Sequence, residues 1–132
     1  MRPFHEYRVG VAGHELTLEI YGVTKSFPRD EVYGLTSQMR RAASSIPMNI
    51  AEGSARTDNE FHHFLTIALG SSAELEYQLV LARDLGYINL EQFETLNLKI
   101  GSVKRMLVSF MQELRRARQQ PTTNGQRPTA TS

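Results

Sequence analysis

The chain has 132 residues, a net charge of +1, 40% hydrophobic and 22% charged residues, which fits one domain with a real core. It has no cysteine, which excludes disulfides and thiolate metal sites, and no tryptophan with 8% aromatic residues, which disfavours broad base-stacking surfaces. No apolar run reaches the roughly 18 residues a membrane helix needs, and the opening MRPFHEYRVG lacks a secretory h-region, so a cytoplasmic protein with no membrane contact is expected.

Charge is unevenly placed. Residues 99–132 carry seven basic groups against one acidic, and residues 61–98 carry one against five. Such a split suits complementary subunit contacts or an anionic ligand such as nucleic acid. Part of it is local, because Arg115, Arg116 and Arg118 sit where a last helical turn favours cations.

Residues 1–13 read as a weakly structured entry. Tyr7, Val9 and Val11 alternate with Arg8 and Gly10 as in an extended segment, and Gly10 and Gly13 argue against a helix. The first helix is expected from about His14, with Leu16, Ile20, Val23 and Phe27 at steps of four, three and four. Pro28 in KSFPRD ends it, and a helical turn through Asp30 to Tyr33 can follow.

The central stretch is Tyr33 to Gly53, YGLTSQMRRAASSIPMNIAEG. Leu35, Met39, Ala42, Ala43, Ile46 and Ile50 form one apolar stripe, and Gly53 suits a left-handed C-terminal cap. Pro47 is the anomaly. An interior proline removes a hydrogen bond to the carbonyl four residues back, here Ala43, at a cost of about 3 kcal/mol. A kink at Pro47 is expected, with Ser44 or Ser45 satisfying that carbonyl. Asn49 and Glu52 are expected to bond the opened backbone or to fix the turn into the next helix.

Thr57-Asp58-Asn59-Glu60 is a capping box that opens a long third helix. Its main stripe is Phe61, Phe64, Leu65, Ala68, Ser72, Leu75, Leu79 and Ala82, with Ile67, Leu69, Val80 and Leu81 on other faces. Gly86 supplies an αL stop. Asn89, with Gln92 three residues on, starts the fourth helix, and Phe93, Leu96, Ile100, Val103, Leu107, Phe110 and Leu114 make a heptad seam. From Gln119 the tail QQPTTNGQRPTATS has no large apolar residue and is expected to be disordered.

The domain reading is an entry over 1–13, a bundle over 14–118 and a tail over 119–132. Short connections make neighbours antiparallel, so the fold expected is an all-α, up-down-up-down antiparallel four-helix bundle with helix two kinked at Pro47. Ile67, Leu69, Val80, Leu98, Met106 and Val108 exceed what one core needs, which predicts an oligomer.

No nucleophile–base pair, phosphate loop or metal cluster is visible. His62 and His63 point about 100° apart on a helix and cannot chelate together. Glu74 and Glu76 read as solvated or ion-paired. No enzyme, cofactor or metal is expected. Arg40 and Arg41 lie on the polar side of the central helix. With Arg56 and, across the bundle, Lys104, Arg105 and Arg116, they are candidate nucleic-acid contacts to RNA or DNA phosphates. The competing readings are ion pairing with Glu52, Glu74 or Glu76, and a scaffold that binds a protein partner without nucleic acid.

The words IYGVTKSFP (Ile20 to Pro28), EVYGLTSQMRRAASSIPMNIAEG (Glu31 to Gly53), FHHFLTIALGSSAELEYQL (Phe61 to Leu79) and LARDLGYI (Leu81 to Ile88) carry a resemblance over roughly residues 14–115. The chain resembles the bacterial four-helix bundle proteins noted in intervening sequences of 23S ribosomal RNA genes. That resemblance implies an up-down bundle assembled as a homopentamer. It also implies relatives among the accessory variability proteins of diversity-generating retroelements, which bind nucleic acid and a reverse transcriptase. The entry departs from the family pattern, being glycine-interrupted and without tryptophan.

Overall fold

The computed structural model describes residues 7–119, with side chains as far as Ala117. Residues 1–6 and the expected tail beyond Gln119 lie outside the described residues. Four helices span Arg8–Thr24 (α1), Leu35–Gly53 (α2), Asp58–Asp84 (α3) and Leu90–Gln119 (α4), with a 3-10 turn at Arg29–Glu31. Each helix packs on its two neighbours in a ring, α1 on α2, α2 on α3, α3 on α4 and α4 back on α1, and the diagonal pairs are not neighbours.

The ends of the bundle fix its direction. Tyr7, at the start of α1, meets Phe61 at the start of α3 and Phe110 late in α4, with ring centroids 5.7 and 5.1 Å away. At the other end Phe27 stacks on Tyr87, 5.2 Å away, where α1 and α3 finish. The all-α, up-down-up-down antiparallel bundle follows. Leu16, Ile20, Met39, Ile46, Ile50, Leu65, Leu75, Leu79, Ile100 and Leu107 fill its centre essentially out of reach of solvent. Each such side chain stabilises the fold by about 1.5–3 kcal/mol relative to exposure.

Local signals set two helix starts as expected. The Thr57 hydroxyl and the Glu60 carboxylate form the capping box of α3. Asn89 and Gln92 exchange side chain to backbone bonds of 2.7 and 2.9 Å at the head of α4. Gly86, with φ of +80°, takes the left-handed position after α3.

Three expectations are corrected. First, α1 begins at Arg8, not near His14. Val9, one heptad before Leu16, is buried, and Gly10 and Gly13 are buried with it. A Cβ at Gly13 would stand 3.0 Å from Ile46 Cγ2 and 3.5 Å from Pro47 Cδ. Gly13 therefore allows α1 to close on α2, and that contact outweighs the roughly 1 kcal/mol propensity cost of a helical glycine. Second, Gly53 is not a left-handed cap but the last residue of α2. A Cβ there would lie 2.7 Å from Phe61 Cδ1 and 2.9 Å from Phe64 Cβ, so the glycine admits the head of α3.

Third, the open Ala43 carbonyl is not satisfied by Ser44 or Ser45. α2 runs unbroken through Pro47, and Thr17 of α1 donates its hydroxyl to Ala43 O at 3.1 Å as well as to its own helix at Gly13 O, 2.8 Å. Ser44 turns to Arg41 O, and Ser45 bonds Ser71 of α3 at 2.8 Å. Asn49 does act on the backbone as expected, donating Nδ2 to Ser45 O at 2.7 Å.

Candidate functional site

The six basic candidates do not form one patch. Arg40 and Arg41 lie on α2, whereas Lys104, Arg105 and Arg116 lie on the diagonally opposite α4, and Arg56 sits in the α2–α3 loop.

Arg40 is spent on the end of α1. Its Nε donates to Thr24 Oγ1 at 2.9 Å, its NH2 reaches the Tyr21 carbonyl at 3.3 Å, and its guanidinium stacks 4.6 Å from the Tyr21 ring centroid. A cation at the C-terminal end of α1 also suits the helix dipole. Arg41 pairs with Glu74 of α3 at 2.8 Å. Lys104 pairs with Glu76 across the α3/α4 boundary at 2.9 Å. Arg56 pairs with Glu52 and lies over the Phe64 ring. The bond to Glu52, then its charge, holds that guanidinium above its ordinary pKa. Such surface pairs are worth about 0–1 kcal/mol and exchange with solvent readily.

Arg105 and Arg116 are exposed and make no ion pair among the described residues. Arg105 stands at an open cleft of about 450 Å³ between the start of α1 and the C-terminal half of α4. Arg8, which the extended reading of the entry hid, stands in the same cleft. A second cleft, of about 440 Å³, opens at the far end of the same seam beside Glu19, Glu91 and Gln92. Between them Lys99 of α4 and Glu19 of α1 form the seam's ion pair, at 2.5 Å.

Further groups surround these sites. His62 lies against Arg115 at 3.4 Å, and His63 against Phe64. No group of three or more His, Asp or Glu able to hold a metal occurs among the described residues. Gln78 is buried and leaves its Oε1 unpartnered at a cost of about 1–3 kcal/mol. At the other end Glu31 caps α2 from outside, accepting from Leu35 N–H at 2.9 Å and from the Tyr87 hydroxyl at 2.8 Å. The Leu35 amide first, then the Tyr87 hydroxyl, hold its carboxyl below the ordinary carboxylate value. The same bond is the first cause of a raised Tyr87 pKa.

Large apolar side chains remain outside the core. Leu18 on α1 is 58% exposed and shares a stripe with Val11, and Leu98 on α4 is 71% exposed. Tyr77 on α3 is 65% exposed, and Ile67 and Val108 are also open. Leu69, Val80 and Met106 are half-buried, with Leu69 and Met106 packed against the core. No helix among the described residues is long and apolar enough to cross a membrane.

Fold and surfaces together define an antiparallel four-helix bundle of small size with exposed apolar faces. The chain belongs to the 23S rRNA-intervening sequence protein family, whose model matches residues 5–109. It is similar to a solved structure of a protein of unknown function from the S23 ribosomal protein family of Bacteroides thetaiotaomicron. That similarity has a TM-score of 0.73 at 26% identity, covering 79% of this chain and 95% of the other. Among curated proteins none matches.

Proposed function

We propose that this chain is a self-associating helical scaffold, assembled through the apolar outer faces of its helices. The observation that carries the reading is the exposure of Leu18 and Leu98 at more than half their surface, with Val11 on the same stripe as Leu18. Side chains of that size clustered on outward faces of a small bundle mark contact surfaces. Gly70, on α3 between Ile67 and Tyr77, adds a place of close approach, since no atom lies within 4 Å of a Cβ built there. The five-fold order implied by the family resemblance is the assembly this reading favours.

Light scattering on the full chain at tens of micromolar tests it. An oligomer that Leu18→Glu and Leu98→Glu together convert to monomers, with helix content by circular dichroism unchanged, is the expected result. A wild-type monomer overturns self-association and leaves these faces to a protein partner.

A second reading, nucleic-acid binding, draws on Arg105 and Arg116 being free of ion pairs. Repeated around an oligomer they would offer phosphate contacts that weaken with salt. Fluorescence anisotropy with labelled single-stranded RNA and duplex DNA should then show binding that falls with added salt and in Arg105→Ala/Arg116→Ala. No binding at low salt removes this reading and leaves the scaffold intact.

A further inference from the structure

The cleft between the start of α1 and late α4 joins two kinds of surface. Val9, Met106 and Phe110 give it an apolar wall, and Arg8, Arg105 and Glu113 stand around it. Its volume of about 450 Å³ is that of a small organic ligand, well within the usual range for such sites. Arg8 and Arg105 are the unusual members. Arg40, Arg41, Arg56, Lys99 and Lys104 each meet a carboxylate, a carbonyl or a hydroxyl of the chain. These two make no hydrogen bond or ion pair among the described residues, although they stand beside the same cleft as Glu113. A guanidinium is a fork of donors that matches paired oxygens of an oxyanion, planar carboxylate or tetrahedral phosphate and sulfonate alike. Two of them against one carboxylate leave the cleft one net positive charge.

We propose that this cleft binds a small aromatic monoanion. The ring lies against Val9, Met106 and Phe110, and the carboxylate or sulfonate is held between Arg8 and Arg105. The Ser109 hydroxyl, also on the cleft, is a further donor to the anion. Glu113 opposes a second negative charge, so dianions bind less well. The cleft adjoins the apolar faces assigned to assembly, since Arg105 stands one heptad beyond Leu98 on α4, but all of its lining belongs to one chain.

Fluorescence titration of the full chain with anilinonaphthalene sulfonate, and in parallel with the uncharged phenylnaphthylamine, tests the proposal. The sulfonate dye should saturate at about one per chain. Arg8→Ala/Arg105→Ala should weaken it about tenfold or more, the loss expected for charge-assisted bonds, while the uncharged dye stays within about twofold. Ser109→Trp, which fills the cleft from an exposed helix position, should abolish binding of the sulfonate dye with circular dichroism unchanged. Equal loss of both dyes in the arginine variant would mean that charge plays no part, and the proposal fails. It fails equally if the wild type does not bind the sulfonate dye, or if that binding survives Ser109→Trp, which places the dye on the exposed apolar faces instead.

Discussion

The two sides of α1 are built differently. Toward α2 it presents Gly13, Thr17 and Thr24, all buried, and the backbones close until Gly13 nearly touches Ile46. Toward α4 the seam opens into a cleft at each end, held between them by the Lys99–Glu19 pair. Small residues at a boundary leave nothing to adjust, so the α2 side is intolerant of added atoms and of lost hydrogen bonds. Longer side chains meeting across the α4 side leave room that a ligand or a substitution can use.

The largest effect is expected where the packing is tightest. Gly53→Ala drives a Cβ into Phe61 and Phe64, and should cost about 3 kcal/mol in urea unfolding. A cost near zero would mean that the α2–α3 turn yields easily. Next comes Thr17→Val, which keeps the shape but leaves the Ala43 carbonyl without its donor. A loss of about 2 kcal/mol is expected by the same measurement. Gly22→Ala probes the open seam. Nothing lies within 4 Å of its Cβ, so the helix gains propensity with no clash, and stability should rise by about 1 kcal/mol.

The smallest effect is confined to acid. Glu31 has its pKa lowered from 4.5 by the Leu35 amide and the Tyr87 hydroxyl. A depressed carboxylate contributes stability that is fully present above its unfolded value and lost as pH falls through its folded value. Wild-type stability should therefore decline below about pH 4.5 more steeply than that of Glu31→Gln, read from thermal midpoints across that range. Parallel slopes would show that the Glu31 cap contributes nothing ionic.

The sequence is most readable where a signal and its partner are close in the chain. Thr57 with Glu60, and Asn89 with Gln92, act across three residues, and both helix starts were legible. The α3 stripe and the α4 heptad seam were legible too, because their periodicity is local. Glycine is ambiguous by nature. Gly13 and Gly53 read as a breaker and a cap, and only the presence of Ile46, Phe61 and Phe64 beside them makes them packing residues. The repair of Pro47 spans 26 residues, from Thr17 to Ala43, so no local reading could find it. The basic candidates were legible both as phosphate contacts and as partners of Glu52, Glu74 or Glu76, and the three ion pairs at Arg41, Arg56 and Lys104 use those carboxylates. Which base meets which carboxylate was not legible, because Arg41 reaches Glu74 and Lys104 reaches Glu76 across 33 and 28 residues. Arg56–Glu52 has the four-residue spacing of a helical ion pair and was open to prediction. Arg8 was hidden by an alternation in Tyr7, Val9 and Val11 that is accidental, since Val9 is buried while Val11 faces solvent.

The hydroxyl that Thr17 lends to Ala43 has a kinetic side. Helix formation in isolation depends on each added residue contributing one backbone bond to the growing ladder. At Pro47 that bond is missing, and its substitute arrives from a different helix. α2 is thus an incomplete helix until α1 docks against it, and the α1–α2 hairpin is the smallest piece of this chain in which the Ala43 carbonyl is satisfied. Folding of the two is coupled at the level of the main chain. Amide protons of residues 43–46 should open together with the α1–α2 boundary rather than with α2 alone.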